Sequence, residues 1–250
     1  FGDKMKCKIV LFVLYALRIL LCLSPQHGYL HPDEFFQFTE PFVGDFLDIK
    51  NLKTWEFKTY QPIRCIFFPF LLLSPLLLVH KYTNFIFNSY SLLVIPRLLF
   101  TLISFLSDFA LYKICILTNC SDKTWPLLTY ASSYLTLCYL THTFTNSLEA
   151  LLLAFILWIL VFNLKNQRPS LNHATGCLLC LGFFNRPTFG CFAIVPSICW
   201  ILADQKLKPI GHYIKLITSL IPSFLVTLVS MLILDTCYYR QQFVNNFVVS

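Results

Sequence analysis

Charge is scarce in this sequence: 12% of its 250 residues are Asp, Glu, Lys or Arg, while 57% are apolar. A soluble domain coats itself with roughly 25% charged residues, so a surface that faces water all round is excluded. Glycine is scarce too, seven in total, which argues against the glycine-broken helices common in transporters. Internal repeats and low-complexity linkers are absent. So is the short apolar/polar alternation of a membrane barrel.

What the sequence has instead is apolar length. Runs at 7–24, 98–118, 125–140, 148–163 and 213–234 approach or reach the roughly 20 residues a helix needs to cross the hydrocarbon core. Segments this uniformly apolar satisfy their backbone in lipid only as helices. The expected fold is therefore all-α, a polytopic transmembrane bundle forming a single domain over 1–250. The net charge of +7 does not point to nucleic acid, because the basic residues stand at the ends of apolar runs rather than in one patch. Most of the eleven cysteines lie within apolar runs, where cysteine behaves as a small hydrophobe. Cys177-Leu-Leu-Cys180 lacks the second pair a zinc site needs, and no metal is expected. The opening Phe1-Gly-Asp-Lys-Met5 allows a fragment, with Met5 as a candidate start. Lys4, Lys6 and Lys8 before the first apolar run read as a retained signal anchor, since no small-x-small cleavage site follows.

The polar breaks fall into two kinds that alternate along the chain. Lys113/Lys123, Lys165/Arg168 and Lys206/Lys208 make three of them basic; 141–149, 185–188 and 235–239 are mostly polar, uncharged or acidic. Placing the basic set and the N-terminus in the cytosol puts the others, and the long 25–64 loop, on the far side. Between 66 and 117 that sidedness fits three passes, at 66–79, 85–95 and 98–117. A re-entrant 66–95 segment followed by one span fits it equally.

The 25–64 loop holds six of the twelve acidic residues, and its core is His31-Pro-Asp-Glu-Phe-Phe-Gln-Phe-Thr-Glu40. Pro32 at the first helical position, with Asp33 and Glu34 in the first turn, is a complete description of a helix N-terminus. A second reading is chemical. On a helix from Pro32, Asp33, Gln37 and Glu40 share one face, while Phe35, Phe38, Phe42 and Phe46 form an apolar side suited to the membrane surface. Pro41 predicts a break into two short interfacial helices. A carboxylate pair at such an interface suits a general base acting on a membrane-anchored substrate.

Gly28-Tyr-Leu-His-Pro-Asp-Glu-Phe-Phe-Gln37, Trp55-Glu-Phe57 and Arg64, followed in order by Thr143-Phe-Thr-Asn-Ser-Leu-Glu149, Phe184-Asn-Arg-Pro-Thr188 and Asp235-Thr-Cys-Tyr-Tyr239, resemble glycosyltransferase family 22. These are GT-C-fold mannosyltransferases of the endoplasmic reticulum membrane. His-Pro-Asp-Glu with Trp-Glu-aromatic is similar to the branches that act on glycosylphosphatidylinositol (GPI) precursors, and Phe-Phe-Gln with Gly44-Asp45 to the branch adding the fourth mannose. By this resemblance the chain is the N-terminal half of a longer enzyme, with 25–64 as its luminal catalytic loop.

The resemblance implies dolichyl phosphate mannose as a lipid-linked donor substrate, a GPI glycolipid as acceptor, no further cofactor, and inversion by single displacement. It implies Asp33 as the base, with Glu34 supporting or substituting for it. His31, Arg64, Arg97 and Arg186 are candidates to stabilise the leaving phosphate. Arg97 has the alternative of pairing with Asp108. Gln37, Glu40, Trp55, Asn146 and Glu149 are candidates for substrate contact, though an interfacial anchor explains Trp55 and helix capping explains Asn146 and Glu149. The alternatives are a third-mannose or other family 22 mannosyltransferase, a lipid transporter or flippase, and a non-catalytic fragment.

Overall fold

The computed structural model describes residues 2–24, 30–58, 62–83, 89–166, 170–202 and 210–249. Among them are nine α-helices and no strand: α1 (Gly2–Leu23), α2 (Glu40–Leu47), α3 (Phe67–Thr83), α4 (Ser89–Leu117), α5 (Thr124–Ala131), α6 (Thr145–Asn166), α7 (Ser170–Asn185), α8 (Phe189–Leu202) and α9 (Ile210–Val249). Tyr90–Leu117, Thr145–Asn166 and Tyr213–Arg240 are long and apolar enough to cross a membrane; Phe67–Val79 and Phe189–Leu202 are shorter apolar helices. The protein is an all-α polytopic membrane protein, as its apolar runs require. The basic break at Lys206/Lys208, Arg168 and the loop residues 25–29 and 59–61 lie outside the described residues.

Two runs depart from expectation. The apolar run 125–140 is not one helix: α5 ends at Ala131, and a π-helical turn follows at Leu135–Tyr139. Ser133 explains the break. Its hydroxyl donates to Thr136 Oγ1 (2.8 Å) and accepts the Thr136 N–H (3.2 Å), a local bond that competes with the helical ladder. Of the separate pass expected over 85–95, the described residues 89–95 belong instead to one helix that runs on to Leu117, and 85–88 lie outside the described residues. α4 begins where α1 ends, with the Tyr90 hydroxyl donating to the Leu23 carbonyl (2.7 Å). A small apolar pocket is lined by Val43 of α2, Leu73 and Leu77 of α3, and Leu92 and Ile95 of α4. α3 thus packs with α2 and the first turns of α4.

The described residues group into two compact units. One comprises 1–11, 105–131 and 148–230, the other 12–104, 132–147 and 231–250. In the first, side-chain amides join helices across apolar surroundings: Asn163 Nδ2 donates to Asn172 Oδ1 (3.2 Å), and Asn172 Nδ2 donates to Ser219 Oγ (2.8 Å). Such bonds and small residues, rather than apolar burial, hold helices together in lipid. Gly176 belongs to this contact, since a Cβ there would collide with the Leu220 carbonyl and the Ser223 hydroxyl of α9. Lys165 Nζ donates to the Leu117 carbonyl (2.9 Å), so two of the basic breaks meet. The second unit carries the loop.

Candidate active site

The loop's helical segment starts on the His31-Pro32 turn. The amides of Glu34 and Phe35 donate to the carbonyls of His31 (3.1 Å) and Pro32 (3.2 Å). Pro41 does not split it into two helices. The backbone stays helical through Phe35–Thr39 as a π-helix, with the Glu40 N–H donating to the Phe35 carbonyl, and continues as α2. Pro41 lacks a donor and crowds the preceding turn; the widened turn just before it absorbs both, and π-turns of this kind recur at functional sites. α2 ends on Asp48 in the left-handed region (φ 55°), a conformation Asp tolerates.

Two of the four phenylalanines of the apolar side pack inside the protein, while Phe35 and Phe46 are half-buried. Phe38 and Phe42 are buried (0% and 3% exposed). Phe38 packs edge-on against Phe100 of α4 (4.9 Å) and Phe42 against Phe70 of α3 (6.0 Å). Burial of each stabilises by about 1.5–3 kcal/mol relative to water. Periodicity located the apolar face, but hydrophobicity does not distinguish lipid from protein interior.

The two adjacent carboxylates are placed in opposite surroundings. Glu34 is fully buried, and Arg97 (2% exposed) donates to both of its oxygens, Nε to Oε1 at 2.6 Å and Nη2 to Oε2 at 3.0 Å. Glu34 is thus the carboxylate that meets Arg97 here. The Asp33 side chain is 41% exposed beside His31, 61% exposed, whose Nδ1 lies 3.5 Å from Asp33 Oδ1 and accepts the Asp33 N–H at 3.3 Å. Thr143 Oγ1 donates to the Glu34 carbonyl (3.1 Å) and accepts from Thr39 Oγ1 (3.3 Å). Gln37 Oε1 is buried with no hydrogen-bond partner among the described residues. The carbonyl of Glu40 accepts from Asn51 Nδ2 (2.7 Å), and burial raises its carboxyl above the usual range.

Sequence reasoning missed His142. It is buried (3% exposed) with Nδ1 2.6 Å from the Cys138 carbonyl and 3.1 Å from Thr141 Oγ1. Burial holds its imidazole below the ordinary value; the Glu34 charge opposes this and the Arg97 charge adds to it. The polar string Thr141-His-Thr-Phe-Thr was the available signal, because buried polar groups demand partners.

The later part of the loop is pinned separately. Arg64 Nε donates to Glu56 Oε2 (3.1 Å), and Trp55, 64% exposed, starts the short 3₁₀ turn Trp55–Phe57. The far end of α9 reaches this stretch at three points. Asp235 Oδ1 accepts the Ile66 N–H (2.9 Å), the Tyr239 hydroxyl donates to the Arg64 carbonyl (2.7 Å), and the Tyr238 hydroxyl donates to the Asp45 carboxylate.

Asn146 is exposed in the first turn of α6. Glu149 and Arg186 belong to the other unit, where they come together. Thr188 Oγ1 donates to Glu149 Oε1 (3.0 Å), and Arg186 Nε stands 4.0 Å from Glu149 Oε2.

The sequence profile of the Alg9-like mannosyltransferase family matches residues 9–249. Among individual proteins, GPI alpha-1,2-mannosyltransferase 4 of Homo sapiens is 36% identical over 213 residues, covering 79% of this chain and 36% of that protein. GPI mannosyltransferase 4 of Drosophila melanogaster is 31% identical over 247 residues (80% and 35%). The Saccharomyces cerevisiae protein of the same name is 30% identical over 244 residues (92% and 45%). The chain therefore spans less than half the length of these curated relatives. No solved structure matches it.

Proposed function

Because the chain belongs to the Alg9-like mannosyltransferase family, we propose that it carries the catalytic loop of an enzyme adding the fourth mannose to a GPI precursor. The donor is dolichyl phosphate mannose, and the reaction takes place at the luminal face of the endoplasmic reticulum membrane. Relatives named for this reaction support the substrate class. The observation that carries the chemistry is the split between two neighbouring carboxylates. Glu34 has both oxygens occupied by a buried arginine, while Asp33, one residue away, is open.

In this reading the acceptor hydroxyl oxygen attacks the anomeric carbon of mannose. The bond from that carbon to the phosphate oxygen breaks with its electron pair going to phosphate, and Asp33 takes the hydroxyl proton. A single displacement inverts the configuration. Phosphate leaves without a strong acid. His31, with Nδ1 occupied by a backbone N–H, keeps a proton on Nε2 to donate to it. Glu34 does not substitute for the base; paired with Arg97 it fixes the turn that presents Asp33. Gln37 Oε1 is an acceptor for a substrate hydroxyl, and Trp55 a platform for a sugar face. Glu40, Arg64 and Asn146 complete the polar groups of this unit assigned to substrate.

The test is mannose transfer in microsomes by the full-length protein, supplied with dolichyl phosphate mannose and a trimannosyl GPI acceptor. Asp33→Asn at unchanged protein level is expected to lose about 10²–10⁴-fold in rate; undiminished transfer would remove Asp33 from the mechanism. Transfer by wild type to a dimannosyl acceptor instead would reassign the enzyme to the third mannose. By the proposed sidedness the Asn119-Cys-Ser121 sequon faces the cytosol and carries no glycan. A glycosidase-sensitive glycan on Asn119 would reverse that sidedness.

A further inference from the structure

Asp235-Thr-Cys-Tyr-Tyr239 takes no part in the chemistry above, yet it is where α9 meets the loop. Asp235, Tyr238 and Tyr239 stand at i, i+3 and i+4, so their side chains share one helix face. They bind positions far apart in sequence. Tyr238 takes Asp45, in α2; Tyr239 takes the Arg64 carbonyl and Asp235 the Ile66 N–H, just before α3. One turn of α9 thereby holds together two described stretches, the end of α2 at Asp45 and residues 64–66. Further contacts stiffen that closure. Lys53 Nζ lies 2.5 Å from Asp45 Oδ1, Arg64 pairs with Glu56, the Ile63 N–H donates to the Glu56 carbonyl (3.0 Å), and the Tyr238 ring lies 6.4 Å from that of Phe42.

The stretch 45–58 displays Trp55, and Lys50 and Lys58 are exposed. An exposed aromatic ring with exposed ammonium groups before and after it in the same stretch of chain suits a ligand that carries both sugar rings and phosphates. A GPI acceptor has both. We infer that the described stretch 45–58 is an acceptor-recognition element, and that Asp235, Tyr238 and Tyr239 are positioning residues that hold it against residues 64–66. The inference rests on the proposed mannosyl transfer. It divides the work: the helix bearing Asp33 sets the rate, and the clasped stretch sets acceptor affinity.

Steady-state kinetics of the full-length enzyme, with donor and acceptor varied separately, test this division. The Tyr238→Phe/Tyr239→Phe pair removes two hydroxyls and keeps both rings. It is expected to raise the acceptor KM by about tenfold, with kcat and donor KM within about twofold. Asp235→Asn should do the same, and Asp235→Glu should recover part of the loss. A fall in kcat at unchanged acceptor KM would overturn the inference, as would parallel shifts in both KM values. Hydrogen exchange reads the clasp without turnover, and Asp235→Asn should speed exchange at the Ile66 amide. Unchanged exchange there would overturn the clasp even in an active enzyme. Wild type that transfers no mannose to this acceptor would overturn the proposed function and the acceptor role with it, while faster exchange in Asp235→Asn would still establish the clasp.

Discussion

Two glutamate–arginine pairs in the same unit show how burial changes the meaning of identical chemistry. Glu34–Arg97 joins residues 63 apart, with side chains 0% and 2% exposed; Glu56–Arg64 joins residues 8 apart, at 19% and 15%. The first ties the start of the loop's helical segment to a membrane helix, and neither partner has water to fall back on. The second closes a local turn at the edge of solvent. A buried pair is weak evidence of net stability, because two desolvated ions consume most of their attraction, but removing one partner strands the other. The teaching of the pair is therefore positional. Arg97 fixes where Glu34 is, and Glu34 fixes where Asp33 is not: Asp33 is left on the open side of the turn.

The largest expected effect follows from that stranding. Arg97→Met or Glu34→Gln should destabilise the full-length protein by about 3–5 kcal/mol, read as loss of folded protein in detergent on thermal unfolding. The double replacement Glu34→Leu/Arg97→Met should recover most of that stability while transfer stays low. If either single variant unfolds like wild type, the buried pair is not the fixed point described above. Asp33→Asn next door should leave stability within about 0.5 kcal/mol, as for an open surface position, while removing transfer. That difference between neighbours is the sharpest form of the comparison.

The parts of the molecule legible in the sequence were those set by composition within a short window. The runs 148–163 and 213–234 lie inside α6 and α9, and 98–118 inside α4 but for its last residue, because apolar length alone specifies a helix in lipid. What needed a partner elsewhere was hidden. Ser133 breaks the 125–140 run through a side-chain bond that hydropathy does not register. Pro41 announces trouble for a helix, but not that a π-turn will absorb it. Asp33 and Glu34 look alike on the page, and only Arg97, 63 residues away, makes them different. Asp235, Tyr238 and Tyr239 carried a resemblance but no role until the loop they hold was in place.

His142 gives an effect of intermediate size that depends on pH. Facing it are Thr141, the Cys138 carbonyl and the Phe144 ring, with the charges of Glu34 and Arg97 nearby. Burial keeps its pKa below the ordinary 6.5, so the folded protein favours the neutral ring. Its contribution is then fully present above about pH 6.5 and is lost as pH falls below the unfolded value, because the unfolded chain binds the proton first. The slope in that window is at most about 1.4 kcal/mol per pH unit. His142→Gln should flatten the acid side of a thermal-stability profile between pH 7 and roughly pH 5. An unchanged acid limb would mean that other groups set it.

The smallest effect belongs to the solvent-edge pair and completes the contrast. Arg64→Gln removes the Glu56 contact, but both side chains retain water, and the median worth of such a pair is about 0–1 kcal/mol. Its stability loss should stay under about 1 kcal/mol and shrink further at high salt, whereas the Arg97→Met loss should barely respond to salt. The Arg64 backbone carbonyl still accepts from Tyr239 in the variant, so the clasp is kept and the stability measurement isolates the ion pair. A loss from Arg64→Gln as large and as salt-insensitive as that from Arg97→Met would mean that the later loop is as dry as its start. Burial would then not be what separates the two pairs.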